Sequence, residues 1–281
     1  MSKQKWFITG ASSGLGLALT KKVLEQGHDV IAAVRRVEAM DALTKVYPQA
    51  LVVESLDVTD PAAIRNVAAR HADVDVVMNN AGGAVIGAME EMSEDDIQQQ
   101  IALNLLAPIH VTRAFLPALR ERRDGTLIYV SSMGGRAAFP SGSLYHAAKY
   151  GLEGFAESLS QEVAGFGIRT VIIEPGSIKT DFIANIRWTA QHDAYKDSVV
   201  GKLREQIREI ADEQISGDPV KMADAIYTVS QQPEPPLRTA LGSDAYAVLE
   251  AGYGKSLDAL RAQKDLALSV GIEGKSGFNP T

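Results

Sequence analysis

The residue pair that could most plainly take part in catalysis is a tyrosine and a lysine four positions apart, in the segment Tyr145-His-Ala-Ala-Lys149. Positions i and i+4 of a helix share one face, so the phenol and the ammonium can lie side by side. An unperturbed tyrosine has a pKa near ~10, and a neighbouring positive charge favours its ionised form. The spacing therefore predicts a general acid/base, although such a pair also occurs on helices without a catalytic role.

A glycine-rich turn is the second feature that could do chemistry. Thr9-Gly10-Ala-Ser-Ser-Gly14-Leu-Gly16 directly follows the first predicted strand and opens the first predicted helix. Gly10 would let the chain turn, Gly14 would let the backbone approach a pyrophosphate, and Gly16 would let the helix pack closely on the sheet. Free N–H groups at the helix N-terminus would face the phosphates. The turn predicts dinucleotide binding, with an ordinary glycine-rich turn as the alternative.

Alternating strand and helix patterns would position these residues. Short β-branched runs predict strands over Trp6–Thr9, Val30–Val34, Leu51–Leu56, Val74–Met78, Thr126–Ser131 and Arg169–Glu174, with a short last strand over Leu237–Leu241. Asp60-Pro61, Ser93-Glu-Asp-Asp96 and Asp218-Pro219 have the pattern of helix N-caps. Repeated strand–helix units predict an α/β fold with a doubly wound parallel sheet, covered by helices on both faces.

The pattern shows no break between domains, so residues 1–281 are predicted to form a single domain. Residues 178–218 are expected to be an insertion long enough for a substrate lid. Residues from about 264 to 281 are expected to form a loose C-terminal tail.

Composition narrows the function classes. The formal net charge is −7 and there is no basic block, which disfavours nucleic-acid binding through phosphates. The chain has no cysteine, which excludes disulfides, thiolate metal sites and a cysteine nucleophile, and no metal site is predicted. No signal peptide and no apolar run of ~20 residues is visible, so we expect a cytoplasmic protein without a membrane span.

Several motifs in register resemble those of the short-chain dehydrogenase/reductase family, in its short single-domain branch. They are Thr9-Gly10-x3-Gly14-x-Gly16, Asn79-Asn80-Ala81-Gly82, Asn104, Ser132, Tyr145, Lys149 and Pro175-Gly176. The match runs from about Trp6 to Asp181, in order and with the family's spacing, which makes it far more specific than any single motif. The resemblance implies a three-layer α/β/α Rossmann fold and an oxidoreductase that interconverts carbonyls and secondary alcohols.

The resemblance also implies roles for four polar residues. Tyr145 would be the acid/base that protonates a carbonyl oxygen, and Lys149 would lower the Tyr145 pKa and bind the nicotinamide ribose. Ser132 would hold and polarise the substrate oxygen, with the adjacent Ser131 as the alternative. Asn104 would hold a water that relays protons to the lysine, although taken alone it could be a helix-interior residue bonded to the backbone.

The end of the second predicted strand indicates the cofactor. NAD-preferring relatives carry an acidic residue there, whereas this chain has Val34 followed by Arg35 and Arg36. Arg35 matches the family's position for binding a 2′-phosphate and Arg36 is the weaker candidate, while both could instead be solvated loop charges. NADP(H) is therefore favoured over NAD. The predicted cofactor contacts are Gly10, Ser12, Ser13, Gly14, Leu15, Gly16, Arg35, Asp57, Val58, Asn80, Ala81, Gly82, Tyr145, Lys149, Pro175, Gly176, Ile178 and Thr180.

The loops after the fourth, fifth and sixth strands form the substrate pocket in this fold. Here they are mostly apolar, which predicts an uncharged lipophilic ketone, aldehyde or secondary alcohol, although any one of these side chains could pack in the core instead. The candidates are Ser132, Met133, Gly134, Phe139, Pro140, Phe182, Ile183, Ile186 and Trp188. His146 is interpreted as a pocket-wall or surface residue, because adjacent helical residues point in different directions.

The long helices that carry Asn104 and Tyr145–Lys149 pair subunits in the family, so the resemblance implies a homodimer or homotetramer. The alternative function is a non-catalytic NADP(H)-sensing protein on the same fold, but such proteins often lose the tyrosine or lysine that this chain keeps. A sugar-nucleotide epimerase or dehydratase of the family's longer branch is disfavoured, because its glycine spacing and larger C-terminal domain are missing.

Overall fold

Alternating strands and helices build a seven-stranded parallel sheet with helices on both faces. The computed structural model describes residues 2–210, 214–272, 275 and 277. Its strands are β1 (Lys5–Thr9), β2 (Asp29–Val34), β3 (Leu51–Ser55), β4 (Val76–Asn79), β5 (Val85–Ile86), β6 (Gly125–Val130), β7 (Ile168–Pro175), β8 (Arg187–Trp188) and β9 (Arg238–Leu241). The large sheet has the order β3-β2-β1-β4-β6-β7-β9, and every neighbouring pair is parallel. The predicted doubly wound α/β fold is confirmed.

The helices are α1 (Gly14–Glu25), α2 (Asp41–Val46), α3 (Pro61–Arg70), α4 (Glu94–Ile101), α5 (Ala107–Arg122), α6 (Ser143–Ala164), α7 (Asp193–Lys196), α8 (Val199–Arg208), α9 (Pro219–Ser230), α10 (Ser243–Ala262) and α11 (Lys264–Ser269). Apolar side chains of α3, α5 and α6 pack on one face of the sheet, and those of α1 and α9 pack on the other. The protein therefore has three layers, with the sheet in the middle.

The core lies in two layers because successive side chains of a strand point to opposite faces. In β1, Phe7 packs against Phe115 of α5, with ring centroids 4.7 Å apart. Its neighbours Trp6 and Ile8 pack in the other layer with Leu19 of α1. Burial of both faces explains why the strands read as nearly continuous apolar runs rather than alternating ones.

The predicted N-caps are confirmed by their hydrogen bonds. The Asp60 carboxylate accepts from two N–H groups in the first turn of α3, at 2.8 and 3.1 Å. Ser93 and Asp96 form a reciprocal capping box at α4, in which the Ser93 hydroxyl accepts from the Asp96 N–H at 3.1 Å. Asp218 caps α9 in the same way as Asp60. These caps fix where the helices begin relative to the strands before them.

A single π-helical turn, Ala102–Leu106, joins α4 and α5 into one helical stretch. This stretch, Glu94–Arg122, is long and apolar enough to cross a membrane, a property that core helices share. Here its buried face, which includes Phe115 and Leu119, packs on the sheet. π-Turns inside α-helices frequently mark functional sites, and this one contains Asn104.

The structure differs from the sequence predictions mainly outside the large sheet. The observed strand ends differ from the predicted ones by one or two residues. For example, β4 begins at Val76, whereas Val74 was predicted. The two-residue strands β5 and β8 pair in parallel, which no periodicity could predict at that length. This pair fastens residues 178–218 to the segment after β4. The tail expected to be loose from about residue 264 instead begins with the helix α11, while most of residues 273–281 lie outside the described residues.

Candidate active site

The strand order reverses between β1 and β4, and a cleft of about 1660 Å³ lies along the carboxyl ends of the strands there. Open α/β sheets bind their ligands at such a switch point. All the predicted catalytic and cofactor-contacting residues line this one cleft, and so do all the predicted substrate-pocket residues except Trp188. The structure thus brings together residues from the ends of six strands, β1, β2, β3, β4, β6 and β7.

The glycine turn after β1 is shaped by the absence of side chains. Gly10 and Gly14 have φ angles of 65° and 51°, which glycine adopts without the strain of a Cβ. A Cβ at Gly16 would lie 2.3 Å from the Gly10 carbonyl oxygen, and one at Gly14 would press on Thr180 at 3.3 Å. Ser13 precedes α1 in an extended conformation and its side chain makes no capping bond to the helix. The first N–H groups of α1 are therefore available for an anion, and the cradle fits a dinucleotide pyrophosphate.

Asn80, which follows β4, ties the glycine turn to the neighbouring strand. Its amide donates hydrogen bonds to the carbonyl oxygens of Thr9 and Gly10, at 2.9 and 3.2 Å. The Thr9 hydroxyl in turn accepts from the N–H groups of Asn80 and Ala81, each at 3.0 Å. The Asn-Asn-Ala-Gly motif is thus a structural clamp that also lines the cleft.

The adenosine end of the cleft carries positive charge. Arg35 and Arg36 follow β2 with exposed side chains, and Val34 leaves no acidic group at the strand end. Asp57 is engaged by Thr59, whose hydroxyl and N–H donate to its carboxylate at 2.7 and 2.9 Å. These hydrogen bonds lower the Asp57 pKa, and the Arg35 guanidinium adds to the effect. An exposed cation at this position suits a 2′-phosphate better than a ribose hydroxyl.

Tyr145, Lys149 and Ser132 meet where β6 ends against α6. The Ser132 hydroxyl accepts from the Gly134 N–H at 3.0 Å, and Ser132 acts to lower the pKa of the Tyr145 phenol. Lys149 donates to the Val130 carbonyl oxygen at 2.8 Å, and its Nζ stands 5.8 Å from the centre of the Tyr145 ring. The geometry selects Ser132 over Ser131 as the partner of the tyrosine.

The ionisation of this pair differs from the prediction. Burial raises the pKa of Tyr145, and Ser132 opposes that rise only in part. The predicted lowering is therefore wrong for the protein alone, because burial has the larger effect. The Lys149 Nζ lies over the ring and is bonded to Val130. Burial also lowers the pKa of Lys149 to about 8, against the opposing effect of Glu153. Tyr145 is thus a protonated phenol at neutral pH, beside a lysine that titrates near the physiological range.

Asn104 is buried in the π-turn, directly beside this pair. Its amide donates to the Gly83 and Gln100 carbonyl oxygens at 2.9 and 3.2 Å, and its Oδ1 accepts from the Gly83 N–H at 3.3 Å. A Cβ at Gly82 would lie 3.0 Å from the Asn104 Oδ1 and 3.8 Å from the Lys149 Nζ. Asn104 therefore shapes the loop after β4 where that loop passes the lysine.

His146 lines the cleft, as the pocket-wall interpretation predicted, and is not a surface residue. It is buried, its Nδ1 lies 2.8 Å from the Gly134 carbonyl oxygen, and its Nε2 accepts from the Phe139 N–H at 3.0 Å. The Nε2 contact requires an unprotonated Nε2, so Nδ1 carries the hydrogen of a neutral ring. A Cβ at Gly134 or Gly142 would press on this imidazole. His146 thus clamps the loop that follows Ser132 onto α6, a role that only the two glycines could have suggested.

Apolar side chains cover the cleft in front of Tyr145. The ring of Phe182 lies edge-on to the Tyr145 ring, with centroids 6.5 Å apart, and both Phe182 and Phe139 are partly exposed. Further wall residues that the sequence did not single out are Leu103, Leu203, Ile207 and Val248. Of these, Leu203 and Ile207 are four positions apart on α8, a helical spacing that could have revealed them.

The lid region is fixed to the body by a buried ion pair. Arg204 of α8 is 1% exposed, and its guanidinium donates to Glu91 at 2.7 Å and to the Thr189 hydroxyl at 2.6 Å. Trp188 does not line the cleft; Arg204 and Arg208 stand over its ring at 5.9 and 4.8 Å from the centroid. The insertion is therefore a packed wall of the cleft in this structure, and Trp188 belongs to its support.

Asp244, at the start of α10, shapes the loop after β7. Its carboxylate accepts from the Ser177 N–H at 2.7 Å, and a Cβ at Gly176 would lie 2.0 Å from its Oδ1. The motif Pro175-Gly176 thus needs its glycine because a carboxylate from far along the chain packs against it. Sequence spacing alone carries no signal for such a contact.

Known proteins share both this sequence and this architecture. A family model described as short chain dehydrogenase matches residues 4–191. Oxidoreductase BOA17 of Botryotinia fuckeliana is 36% identical over 265 residues, which are 92% of this chain and 95% of that protein. A crystal structure of a short-chain dehydrogenase from Streptomyces avermitilis has a TM-score of 0.86 and 36% identity, covering 96% of this chain and 99% of that one.

A second solved structure, a serine dehydrogenase complexed with NADP+, has a TM-score of 0.73 and 28% identity, covering 85% of this chain and 94% of that one. The matched family segment contains the glycine turn, Asn104, Ser132, Tyr145 and Lys149. This chain belongs to the short-chain dehydrogenase/reductase family and is an oxidoreductase of the Rossmann fold.

Proposed function

We propose that the protein is an NADPH-dependent reductase of uncharged, apolar ketones or aldehydes. The observation that carries the proposal is the convergence of Ser132, Tyr145 and Lys149 on one wall of the cleft, facing aliphatic and aromatic side chains. Proton-donating groups are thus held in an apolar site, where they act on a carbonyl with little competition from water.

The proposed cofactor is NADPH, which supplies a hydride when it is bound. The glycine cradle at Gly10, Gly14 and Gly16 would hold the pyrophosphate, and Arg35 would bind the 2′-phosphate. The serine dehydrogenase that shares this fold is complexed with NADP+, which supports the same preference here. Lys149 would bind hydroxyl groups of the nicotinamide ribose from the base of the cleft.

The protonation state of Tyr145 suits it to donate a proton. Because burial raises the Tyr145 pKa, the phenol keeps its proton at neutral pH and can donate it to a carbonyl oxygen. Ser132 lies beside the same phenol, so both hydroxyls can hold that oxygen and polarise the carbonyl before transfer. The positive charge of Lys149 would stabilise the phenolate that remains after the proton has left.

The wall opposite these groups sets the substrate class. Phe139, Phe182 and Ile186 line the cleft with Leu203 and Ile207, and none of these five side chains offers a charge or a hydrogen bond. Burying an unpaired charge there would be costly, whereas apolar area is favourable to bury, at roughly 25 cal/mol per Å². The proposed substrates therefore carry an apolar body next to the reacting carbonyl.

The proposal is tested by mixing the purified protein with NADPH or NADH and a panel of aliphatic and aromatic ketones and aldehydes, and following the loss of nicotinamide absorbance. We expect turnover of several apolar members, little turnover of carboxylated analogues of the same carbonyls, and lower KM values with NADPH than with NADH. Tight NADPH binding without turnover of any member, or of any matching alcohol with NADP+, would contradict the reductase and favour a binding protein.

A further inference from the structure

The face of α6 that carries Tyr145 and Lys149 continues with two acidic residues. Tyr145, Lys149, Glu153 and Glu157 recur at intervals of four, so they form one row along the helix. Glu153 is 2% exposed, which is rare for a glutamate without a specific partner. The proposed reaction uses the first two members of this row and leaves the buried third one unexplained.

The end of β6 faces this row residue by residue. Ser132 lies near Tyr145, the Val130 carbonyl accepts from Lys149, and Ser131 lies on the Glu153 side. At Gly135 a Cβ would lie 2.4 Å from the Ser131 hydroxyl and 3.2 Å from the Glu153 Oε1. Glu153 is therefore packed directly behind the catalytic pair, against the same strand end.

The other charges around Glu153 come from four further elements. Arg238 of β9 donates through Nε to the Glu153 Oε2 at 3.0 Å and through Nη2 to Glu157 at 2.9 Å. Its Nε also lies 3.9 Å from Glu174 of β7. The groups that complete the surroundings are Arg136, which follows the turn after β6, and Tyr253 of α10. Glu153 thus has one close cationic partner, Arg238, and one acidic neighbour, Glu174.

Three buried oxygens in this cluster are unsatisfied. Within the described part of the chain, Oε1 of Glu153 and Oε1 of Glu174 make no hydrogen bond, and neither does the Ser131 hydroxyl. Burial raises the pKa of Glu174 to about 7, and the charge on Glu153 raises it further in the same direction. Glu174 therefore keeps its proton to a higher pH than an ordinary glutamate, and Arg238 donates a hydrogen bond to Glu153.

Lys149 benefits from an acidic neighbour. Its ammonium is buried and donates to the Val130 carbonyl, and burial lowers its pKa to about 8, while Glu153 acts in the opposite direction. The groups near it are Tyr145, Asn104 and the β6 strand end, and Glu153 lies one helical turn farther along the same face of α6. Among these described neighbours, Glu153 is the acidic residue.

We propose that Glu153 is a positioning residue of the active site, whose buried carboxylate keeps Lys149 charged for cofactor binding and catalysis at neutral pH. Arg238 and Glu174 surround that carboxylate. The active site therefore includes the next helical turn of α6, beyond the lysine. This inference rests on the proposed function, because it gives Lys149 the task of binding the nicotinamide ribose.

The test measures NADPH affinity against pH, by quenching of protein fluorescence, for the wild type, Glu153→Gln and the matched control Glu157→Gln. Glu157 shares Arg238 but lies one turn farther from Lys149 and is half-exposed. Wild-type affinity is expected to fall above about pH 8, as Lys149 loses its proton. In Glu153→Gln this fall should move down by about one pH unit, because the stabilising anion is gone. Glu157→Gln should follow the wild type.

A Glu153→Gln curve that coincides with the wild-type curve would overturn the inference, and so would an equal shift in Glu157→Gln, which would assign the effect to Arg238. Glu153→Asp, which keeps the charge, should restore most of the wild-type pH dependence, and a thermal melt of each variant checks that it folds. If the wild type does not bind NADPH at all, the proposed function fails first, and that result is distinct from binding with an unshifted curve.

Discussion

The two halves of the cleft are built by different means. The cofactor half, at β1, β2 and β4, is shaped by backbone that passes where side chains are missing, as at Gly10 and Gly16. The substrate half, beyond α6, is shaped by side chains that hold loops in place, as His146 does through two hydrogen bonds and Arg204 through a buried ion pair. One half is defined by close packing of the backbone and the other by buried polar contacts.

This difference determines how each half can vary. A backbone cradle has no room for even one added carbon, so its residue types are fixed wherever a dinucleotide is bound. A wall of apolar side chains can change in size and shape without loss of the fold, as long as the contacts that anchor it remain. We therefore expect changes in the first half to abolish cofactor binding, and changes in the second half to alter substrate use and stability.

The largest effect is expected from Gly16→Ala. The new Cβ would lie 2.3 Å from the Gly10 carbonyl oxygen and 2.5 Å from the Asn80 amide, so α1 must move away from the sheet. A displacement of about 1 Å at a binding site can cost ~100-fold, and we expect NADPH affinity to fall by at least that factor. Isothermal titration measures it, with Gly254→Ala as the control, because nothing lies within 4 Å of a Cβ there. Equal affinity in both variants would contradict the backbone cradle.

Arg204→Met should be the most destabilising change on the substrate side. It leaves the Glu91 carboxylate buried without its cation, which typically costs about 3–5 kcal/mol of unfolding free energy. Urea denaturation measures the loss, and the double variant Arg204→Met with Glu91→Gln should recover part of it. NADPH affinity should stay within about twofold of the wild type, since Arg204 lies outside the cofactor half. Strictly additive losses would show that the ion pair is not coupled.

Arg35→Ala tests whether the cofactor half also contains a side-chain determinant. Loss of a charge-assisted hydrogen bond costs about 1.5–3 kcal/mol, so NADPH affinity should fall by about 10- to 100-fold. NADH affinity should hardly change, because it has no 2′-phosphate. Arg36→Ala, one position farther from β2, serves as the control and should have a smaller effect. Parallel losses for NADPH and NADH would argue against recognition of the phosphate by Arg35.

The smallest of these effects is expected from His146→Ala. The change leaves the Gly134 carbonyl and the Phe139 N–H without their partner, and the loop after Ser132 loosens. One lost hydrogen bond of about 1.4 kcal/mol corresponds to a tenfold lower kcat/KM, with NADPH affinity unchanged. His146→Gln keeps an acceptor for Phe139 and should recover part of the activity. If glutamine performs no better than alanine, the clamp does not act through that hydrogen bond.

Sequence reasoning predicts the cofactor half better than the substrate half, for the same physical reason. Gly10, Gly14 and Gly16 are read from local spacing, because the turn, the strand before it and the helix after it are adjacent in the chain. The capping aspartates Asp60 and Asp218 are likewise local, and both are confirmed. Periodicity and turn chemistry therefore recover the sheet, its main helices and the placement of the glycine turn.

The contacts that sequence reasoning missed join distant parts of the chain. Asp244 reaches the Ser177 N–H across 67 positions, and Arg204 reaches Glu91 across 113. Such pairs are brought together by the topology, and neither residue type nor spacing identifies them in advance. The direction of the Tyr145 pKa shift was missed for a related reason, because burial outweighs the opposing effect of Ser132.

The two halves of the cleft meet at Tyr145, and Tyr145→Phe is the most direct test of the account. The variant keeps the ring that packs beside Phe182 and removes only the phenolic oxygen near Ser132. Carbonyl reduction with NADPH should fall by at least ~100-fold, the usual contribution of a general acid, while NADPH affinity stays within about twofold. Turnover equal to that of the wild type would contradict the assignment of Tyr145 as the proton donor.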